Sequence, residues 1–231
     1  MRSFLGYGEM MQKMALIIPY RNREEHLKIF LTEFPEKIQK ISPHVQYTIF
    51  IIEQAEGKLF NRGKLLNVGY TLTQETFDYF CFHDVDMLPT TSDYSYPIVP
   101  THLAADVSQF REWMGNGLAY KNYFGGVVLF NKADFVKVNG YSNRYWGYGV
   151  EDDDLIVRVV ENNLNWVRKP GVYESLTHAY SGGTPEHQAN KTRFINLLKN
   201  LEEDLSGLSD LNYQILNSKI FSNYTQYLVD I

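Results

Sequence analysis

One stretch of this sequence decides the fold class: Asp78-Tyr79-Phe80-Cys81-Phe82-His83-Asp84-Val85-Asp86. Its first half is a short aromatic and apolar run, which is typical of a buried β-strand. Its second half places two carboxylates two residues apart, directly after that strand. On an extended backbone, residues i and i+2 point to the same side, so both carboxylates can face one ligand. The stretch therefore predicts a strand that ends in an acidic binding site.

Apolar runs alternate with helical periodicity on both sides of this stretch. The pattern predicts strands at residues 15–18, 47–52, 125–130, 165–168 and 172–177, and helices at 24–41, 64–74, from 132 and from about 152. Pro35 should kink or split the first helix. Residues 90–117 and those from 205 onward show no such pattern. The alternation favours an α/β fold with a mostly parallel central sheet flanked by helices, which binds ligands beyond the carboxyl ends of its strands.

Composition excludes several classes of protein. The chain has 231 residues, of which 44% are apolar and 21% are charged, so it is neither disordered nor collagen-like. This length predicts a single domain. A net charge of −5 speaks against nucleic acid as a partner. The single cysteine, Cys81, excludes an internal disulfide and is expected to lie in the core.

The sequence has no apolar run of 18 residues and no signal-peptide core, so we expect no integral membrane segment. These features predict a cytoplasmic protein, associated at most with the inner face of a membrane. If the chain is instead a trimmed eukaryotic enzyme, the Golgi lumen is the expected location.

Asp84 and Asp86 suit a divalent cation. Mn²⁺ and Mg²⁺ prefer carboxylate and phosphate oxygens, so a pair of acids at a strand end is suited to a metal–diphosphate. The alternative is an ordinary turn after a strand, because Asp-x-Asp is common. His178 follows an apolar run and is a candidate second ligand only because this acidic pair needs a partner.

The second cluster is Trp146-Gly147-Tyr148-Gly149-Val150-Glu151-Asp152-Asp153-Asp154. Four acids at the start of a helix complement its dipole, and capping alone could explain one or two of them. Successive helical side chains point about 100° apart, so capping does not account for all four. The aromatic rings and the interleaved glycines resemble one wall of a sugar site.

Arginines at two predicted strand ends suit anion recognition. Arg21 and Arg23 follow the first strand, and Phe60 and Arg62 follow the second. Guanidinium groups bind phosphate through paired hydrogen bonds, and an aromatic ring can stack on a base. Each of these residues alone would more often be an ordinary surface residue.

Five motifs together resemble the β-1,4-galactosyltransferases, and most closely the xylosylprotein β-1,4-galactosyltransferase branch. They are residues 18–23, 60–69, 84–89, 123–126 and 146–154, in the order found in that family. The resemblance runs from about residue 16 to about residue 216. It implies a glycosyltransferase A-type fold with a Rossmann-like sheet. The nucleotide-binding part would span about 14–90, and the acceptor and catalytic part about 118–216.

The resemblance also implies an inverting transferase that uses UDP-galactose, Mn²⁺ (or Mg²⁺) and a glycan or glycoconjugate acceptor. The implied nucleotide-binding residues are Pro19, Tyr20, Arg21, Arg23, Phe60, Arg62, Asp84 and Val85. The implied sugar- and acceptor-binding residues are Tyr123, Gly126, Trp146, Tyr148, Gly149, Glu151 and Asp153. Asp152 would be the catalytic base beside Glu151, and Asp86 and His178 would hold the metal.

This chain departs from the family pattern at two places. Tyr148 stands where the family has a second tryptophan, on the border between donor and acceptor. A further metal ligand of relatives would fall on Ser175 or Leu176, neither of which is a good ligand. The alternatives are an N-acetylgalactosaminyl- or glucosyl-transferase of the same fold, and an inactive glycan-binding module. The resemblance implies that Tyr123 limits the room for an N-acetyl group, which favours galactose as the donor sugar. The intact acidic cluster argues against the inactive module.

Overall fold

The computed structural model of the chain describes residues 12–177 and 182–231. Its strands are β1 (Lys13–Tyr20), β2 (Gln46–Gln54), β3 (Tyr79–His83), β4 (Met87–Thr91), β5 (Thr101–His102), β6 (Asp106–Val107), β7 (Val127–Asn131), β8 (Val167–Arg168), β9 (Val172–Ser175), β10 (Gln214–Ile220) and β11 (Tyr224–Asp230). Its α-helices are α1 (Glu24–Ile41), α2 (Arg62–Thr73), α3 (Ser108–Met114), α4 (Lys132–Lys137), α5 (Glu151–Glu161) and α6 (Pro185–Leu198), and a 3₁₀ turn spans Leu208–Asp210.

The central sheet of the described residues contains eight strands, in the order β10-β11-β2-β1-β3-β7-β5-β8. The four neighbours β11, β2, β1 and β3 run parallel to one another. Antiparallel pairs join β10 to β11, β3 to β7 and β7 to β5. A smaller sheet of β4, β9 and β6 lies beside it. The predicted α/β fold with a mostly parallel core is confirmed.

Both faces of the sheet are covered, which explains why β1 is apolar at successive positions. Leu16 and Ile18 belong to one core cluster, with residues of α1. Ala15 and Ile17 belong to the other, with residues of α2, α4 and α5. A strand buried on both faces has no polar side to alternate with. The carboxyl end of β1 is thereby held in the middle of the molecule, next to the end of β3.

Helix α1 covers the predicted span and continues through Pro35, so of the two expected effects of the proline, a kink or a split, the split does not occur. Phe30, Phe34 and Ile38 are buried on either side of the proline. The rings of Phe30 and Phe34 stack with centroids 4.7 Å apart. This packing fixes both halves of the helix against the sheet, which offsets the hydrogen bond that proline cannot donate.

Several regions carry regular structure that the sequence pattern did not indicate. Strands β10 and β11 form a hairpin, and β11 extends the sheet by pairing in parallel with β2. Helix α6 lies in a stretch for which no element was predicted, and short elements (β5, β6 and α3) occupy the expected loop at 90–117. The division of the chain into parts at about 14–90 and 118–216 stays a prediction.

Candidate active site

Arg62 joins the two acidic clusters that the sequence singled out. Its Nε donates to Asp84 Oδ1 at 2.6 Å, and its Nη1 donates to Glu151 Oε1 at 3.4 Å. Arg62 is the first residue of α2, whose N-terminus is capped by Asn61, which accepts from the Lys64 amide at 2.9 Å. The end of β3 and the start of α5 therefore meet at one guanidinium group.

Burial has the largest effect on the pKa of Asp84, the carboxylate that Arg62 contacts. It raises the pKa of Asp84 to about 6, even though the Arg62 charge acts to lower it. The Nη2 atom of Arg62 is buried and has no hydrogen-bond partner in residues 12–177 or 182–231. A buried donor without an acceptor costs about 1–3 kcal/mol, so this atom is suited to an incoming ligand oxygen.

The acidic run of α5 divides between the site and the interior. Asp152 lies against Gly125, where an added Cβ would come within 2.2 Å of its Oδ2 atom. Burial, followed by the charges of Glu151 and Asp153, raises the pKa of Asp152 well above its ordinary value. Asp153 accepts from the Tyr120 hydroxyl at 2.6 Å. Glu151, Asp152 and Asp153 therefore form the part of the acidic run that borders the site, and the middle carboxyl group, Asp152, has a raised pKa.

Asp154 is different, because it faces the protein interior. Its side chain is 1% exposed and accepts from Arg158 Nε at 2.6 Å and from the Tyr145 hydroxyl at 3.3 Å. Arg158 also contacts Asp204 at 3.6 Å and the Ser206 carbonyl at 2.7 Å. The fourth acid therefore belongs to a buried ion-pair cluster that holds α5 to the segment before the 3₁₀ turn.

The segment from Tyr123 to Gly126 lies between the two acidic clusters. Gly126 adopts a φ of +76°, and its carbonyl accepts from the Asp84 amide at 3.0 Å. The Tyr123 hydroxyl lies 3.3 Å from the place of an added Cβ on Gly126. Burial, followed by the charges of Asp152 and Asp84, raises the pKa of Tyr123 well above its ordinary value. The predicted Tyr123 and Gly126 are thus brought next to both clusters.

The loop of residues 146–149 is anchored from two sides. The Gly147 amide donates to the Phe60 carbonyl at 2.7 Å. On the other side, Asn190 Nδ2 of α6 reaches the carbonyl oxygens of Trp146, Tyr148 and Gly149 at 3.0–3.3 Å. The loop leads into Val150, whose φ of +83° is rare for a β-branched residue. Helix α6 therefore supports the loop, although no sequence motif indicated it.

The structure brings some of the predicted nucleotide-binding residues close together, but not Arg23. The Arg21 guanidinium lies 5.5 Å from the centroid of the Phe60 ring and donates to the Lys58 carbonyl at 2.7 Å. Pro19 and Tyr20 end β1 beside them, and Val85 is buried between the two acids. Arg23 donates instead to His26 Nδ1 at 3.3 Å, within the first turn of α1.

The proposed metal ligands are described in part. Asp86 follows β3, and its carbonyl accepts from the Leu176 amide at 2.8 Å. The Ser175 hydroxyl donates to Gln109 at 3.1 Å. His178 lies outside the described residues. Within those residues, no three His, Cys, Asp or Glu side chains form a group that could hold a metal ion.

The sequence matches two models of one family. Residues 8–98 match the N-terminal region of glycosyl transferase group 7, and residues 105–181 match its companion model, described as the N-terminal domain of galactosyltransferase. The chain belongs to the glycosyl transferase group 7 family. It is 37% identical over 224 residues to beta-1,4-galactosyltransferase 1 of Homo sapiens, and 37% identical over 227 residues to beta-1,4-galactosyltransferase 4 of the same species. These alignments cover 95% of this chain but 55% and 64% of the relatives, so the chain spans little more than half their length.

Solved structures give the same result for the fold. The catalytic domain of Drosophila beta1,4galactosyltransferase 7 in complex with xylobiose matches with a TM-score of 0.78 and 27% identity, covering 95% of this chain and 94% of that one. A variant of that enzyme in complex with manganese, UDP-Gal and xylobiose matches with a TM-score of 0.80 and 28% identity. The glycosyltransferase A-type fold and the family prediction are confirmed, and these neighbours support the xylosylprotein branch.

Several residues of the site carry no motif. Tyr120 reaches Asp153, Tyr141 places its ring 5.9 Å from the Arg62 guanidinium, and Asn190 holds the aromatic loop. Each lies far along the chain from its partner, so only the folded structure brings the pair together. None of the helices in the described ranges has the length and apolar character needed to cross a membrane.

Proposed function

We propose that this protein is a metal-dependent, inverting galactosyltransferase that transfers galactose from UDP-galactose to a sugar hydroxyl in a β-1,4 linkage. The observation that carries the proposal is the bridge from Asp84 through Arg62 to Glu151. It brings the carboxylates at the end of β3 next to the acidic cluster on α5, so a nucleotide-sugar and an acceptor bound at these two places would lie side by side. The family and the neighbour that holds UDP-Gal and manganese support it.

In the proposed reaction, Asp152 takes the proton of the acceptor hydroxyl. The acceptor oxygen then bonds to the anomeric carbon as the bond from that carbon to the diphosphate oxygen breaks, with inversion. Burial and the neighbouring acids raise the pKa of Asp152, which makes its ionised form a stronger proton acceptor than an ordinary carboxylate. Glu151 and Asp153 would orient the sugars, and the unpartnered Arg62 Nη2 would donate to an oxygen of the donor.

The proposed metal would be held by Asp86 and His178. A carboxylate is the ligand type that Mn²⁺ and Mg²⁺ prefer, and diphosphate oxygens would complete the set. The contact between the Leu176 amide and Asp86 supports this pairing, since it holds the chain two residues before His178 next to Asp86. The bound cation would stabilise the charge of the departing UDP.

The decisive measurement compares two aspartate variants. Asp86→Ala should abolish metal-dependent UDP binding in calorimetry and transfer from UDP-galactose. Asp93→Ala, which removes a carboxylate outside the site, should leave both unchanged. If Asp86→Ala binds Mn²⁺–UDP as tightly as the parent, the metal assignment is wrong. If the parent transfers no sugar from any UDP-sugar, the chain is an inactive glycan-binding homologue.

Tyr123 is the residue proposed to select the donor sugar. Tyr123, next to Gly126, should crowd an N-acetyl group at C2 of the donor, which favours galactose over N-acetylgalactosamine. Tyr123→Leu should raise kcat/KM for UDP-N-acetylgalactosamine relative to UDP-galactose. Xylosides are the first acceptors to test, because the Drosophila neighbours hold xylobiose.

The cytoplasm and the Golgi lumen stay alternative locations for the protein. Fractionation of the source cells would distinguish between them.

A further inference from the structure

The buried His102 and the partly buried Arg168 form a pair outside the proposed machinery, directly behind the Tyr123–Gly126 segment. His102 ends β5 and Arg168 ends β8, and the two are register partners across this parallel pair. Directly paired residues on adjacent strands present their side chains on the same face of the sheet. His102 is fully buried, in a position where no ligand of the proposed reaction reaches it.

The hydrogen bonds of the pair fix the tautomer of the histidine. Arg168 Nε donates to His102 Nδ1 at 2.8 Å. A guanidinium group has donors only, so Nδ1 must accept and the ring proton lies on Nε2. His102 Nε2 then donates to the Gly125 carbonyl at 2.9 Å. Burial, followed by the Arg168 charge, lowers the pKa of His102 to about 3, which agrees with a neutral ring.

Arg168 holds the same segment at further points. Its Nη2 donates to the Tyr123 carbonyl at 2.6 Å, and its Nη1 donates to the Lys121 carbonyl at 3.1 Å. The His102 ring meets the Tyr123 ring edge-on, with centroids 5.4 Å apart. The pair therefore fixes three alternate carbonyl groups, at residues 121, 123 and 125, and supports the ring of Tyr123.

These contacts matter because Gly125 and Tyr123 border the reacting groups. Asp152 Oδ2 lies 2.2 Å from the place of an added Cβ on Gly125, so the Gly125 backbone packs closely against the proposed base. We infer that His102 and Arg168 are positioning residues, which set the donor-sugar selectivity of Tyr123 and the placement of Gly125 under Asp152. This inference rests on the proposed function for its kinetic consequences.

The kinetic test compares substitutions of two neighbouring cationic residues, Arg168 at the end of β8 and Lys169 directly after it. Arg168→Met removes the donors to His102, Tyr123 and Lys121. Lys169→Met is the matched control, because Lys169 pairs with Asp93 at 2.7 Å instead. We expect Arg168→Met to lower kcat for UDP-galactose by about 10- to 100-fold, since small misplacements at a reacting centre are costly. The preference for UDP-galactose over UDP-N-acetylgalactosamine should fall by about tenfold, and Lys169→Met should change neither.

Two variants of the histidine separate positioning from general stability. His102→Gln can place its Nε2 atom where the imidazole Nε2 lies and should keep the donor preference closer to that of the parent than His102→Leu does. If both variants keep the preference of the parent, or lose it to the same extent while the fold is intact, the positioning role is wrong.

Amide hydrogen exchange gives a readout that does not depend on activity. In Arg168→Met, exchange across residues 119–127 should be faster than in the parent, with no change in α1 or α2. Unchanged exchange across 119–127 would overturn the inference whatever the kinetics. If the parent transfers no sugar, the proposed function fails, while the exchange result still decides whether the pair holds this segment.

Discussion

Asp152 and Asp154 are the same residue type, two positions apart on one helix, yet their side chains have different surroundings. Side chains at i and i+2 of an α-helix point about 200° apart, so the two carboxyl groups face opposite sides of α5. Asp152 lies against Gly125 among like charges, and its pKa is raised well above the ordinary value. Asp154 is bound by Arg158 at 2.6 Å inside the protein. The position of each acid around the helix, and not the residue type, therefore places one carboxyl group in the candidate site and the other in the interior.

The two carboxyl groups differ in the groups that oppose the cost of burial. Burial raises the pKa of Asp154 too, but Arg158 and the Tyr145 hydroxyl both favour its ionised form. Burial and two acidic neighbours act against the ionised form of Asp152, whereas the Arg62 charge and a hydrogen bond from the Asp153 amide act for it. A side chain held in an unfavourable state is expected where function requires it. Substitutions at the two positions should therefore move activity and stability in different ways.

The largest effect on activity is expected from Asp152→Asn. An amide keeps the shape of the carboxyl group but cannot accept the proton, so kcat for transfer should fall by about 10²–10⁴-fold. The melting temperature should stay equal or rise, because the substitution removes a charge that burial and Glu151 disfavour. Single-turnover transfer and thermal unfolding measure the two quantities.

Glu151→Gln is the control for Asp152→Asn, because it should weaken donor binding as well as transfer. Affinity for UDP-galactose and Mn²⁺ should stay near that of the parent in Asp152→Asn only. Transfer by Asp152→Asn within a few-fold of the parent would assign the base to another member of the run.

Asp154→Ala should show the reverse pattern. Breaking a buried ion pair usually costs about 3–5 kcal/mol, and we expect the lower end because Arg158 keeps its contact with Asp204. Urea unfolding measures the loss of stability, and kcat per folded molecule should stay within a few-fold. The double variant Asp154→Leu with Arg158→Met should recover part of the stability, because no buried charge is left without its partner. A loss of kcat as large as that of Asp152→Asn would place Asp154 in the site.

Asn190→Ala tests whether the loop of residues 146–149, which leads into the acidic run, affects acceptor binding without affecting UDP binding. The substitution removes the donor to the Trp146, Tyr148 and Gly149 carbonyls and should cost about 1–2 kcal/mol of stability. We expect KM for the acceptor to rise about tenfold, as for other small displacements of a binding group. Binding of UDP, measured by calorimetry, should change less than twofold.

Asn196→Ala is the matched control on the same helix, since the Asn196 side chain donates to the exposed Glu202 at 3.1 Å and not to the loop. Equal effects of the two alanine variants on acceptor KM would remove the special role of Asn190.

The sequence allowed the elements with strong local patterns to be predicted. The span of α1 was predicted correctly, because Leu27, Phe30, Leu31, Phe34 and Ile38 repeat at helical spacing. The acidic clusters could be assigned to strand and helix ends, because their flanking runs have clear periods. The rotation of about 100° per residue already implied that the acids of α5 would not share one face.

The rest depends on contacts between distant parts of the chain. Residues of β10 are exposed throughout, so the strand has no apolar alternation to detect, and β11 forms by pairing with β2, about 175 residues earlier in the chain. Helix α6 buries only His187 and Asn190, so its amphipathic pattern is weak. His102 and Arg168 lie in two-residue strands, where no period can be read.

An exposed carboxylate, Asp93, gives the reference with the smallest expected effect. Its side chain is 49% exposed and accepts from Lys169 Nζ at 2.7 Å. Partial burial would raise its pKa, but hydrogen bonds from Lys169 and Ser95 outweigh burial and lower the pKa of Asp93 to about 2. Solvent screening limits the stabilisation from such a pair to about 1 kcal/mol or less.

The pH dependence of this stabilisation follows from the direction of the shift. The unfolded chain has an Asp pKa of about 3.9, so the folded state favours the ionised carboxylate and the stabilisation is complete above about pH 4–5. It is lost as pH falls towards the folded value of about 2. Urea unfolding of the parent and Asp93→Asn should therefore differ by a constant amount from pH 5 to 7, and this difference should shrink by pH 3. A difference that persists unchanged at pH 3 would show that the charge of Asp93 is not the source of the stabilisation. The difference would then come from the way the asparagine amide alters the hydrogen bonds that Asp93 accepts from Ser95, because those bonds do not require a charged acceptor.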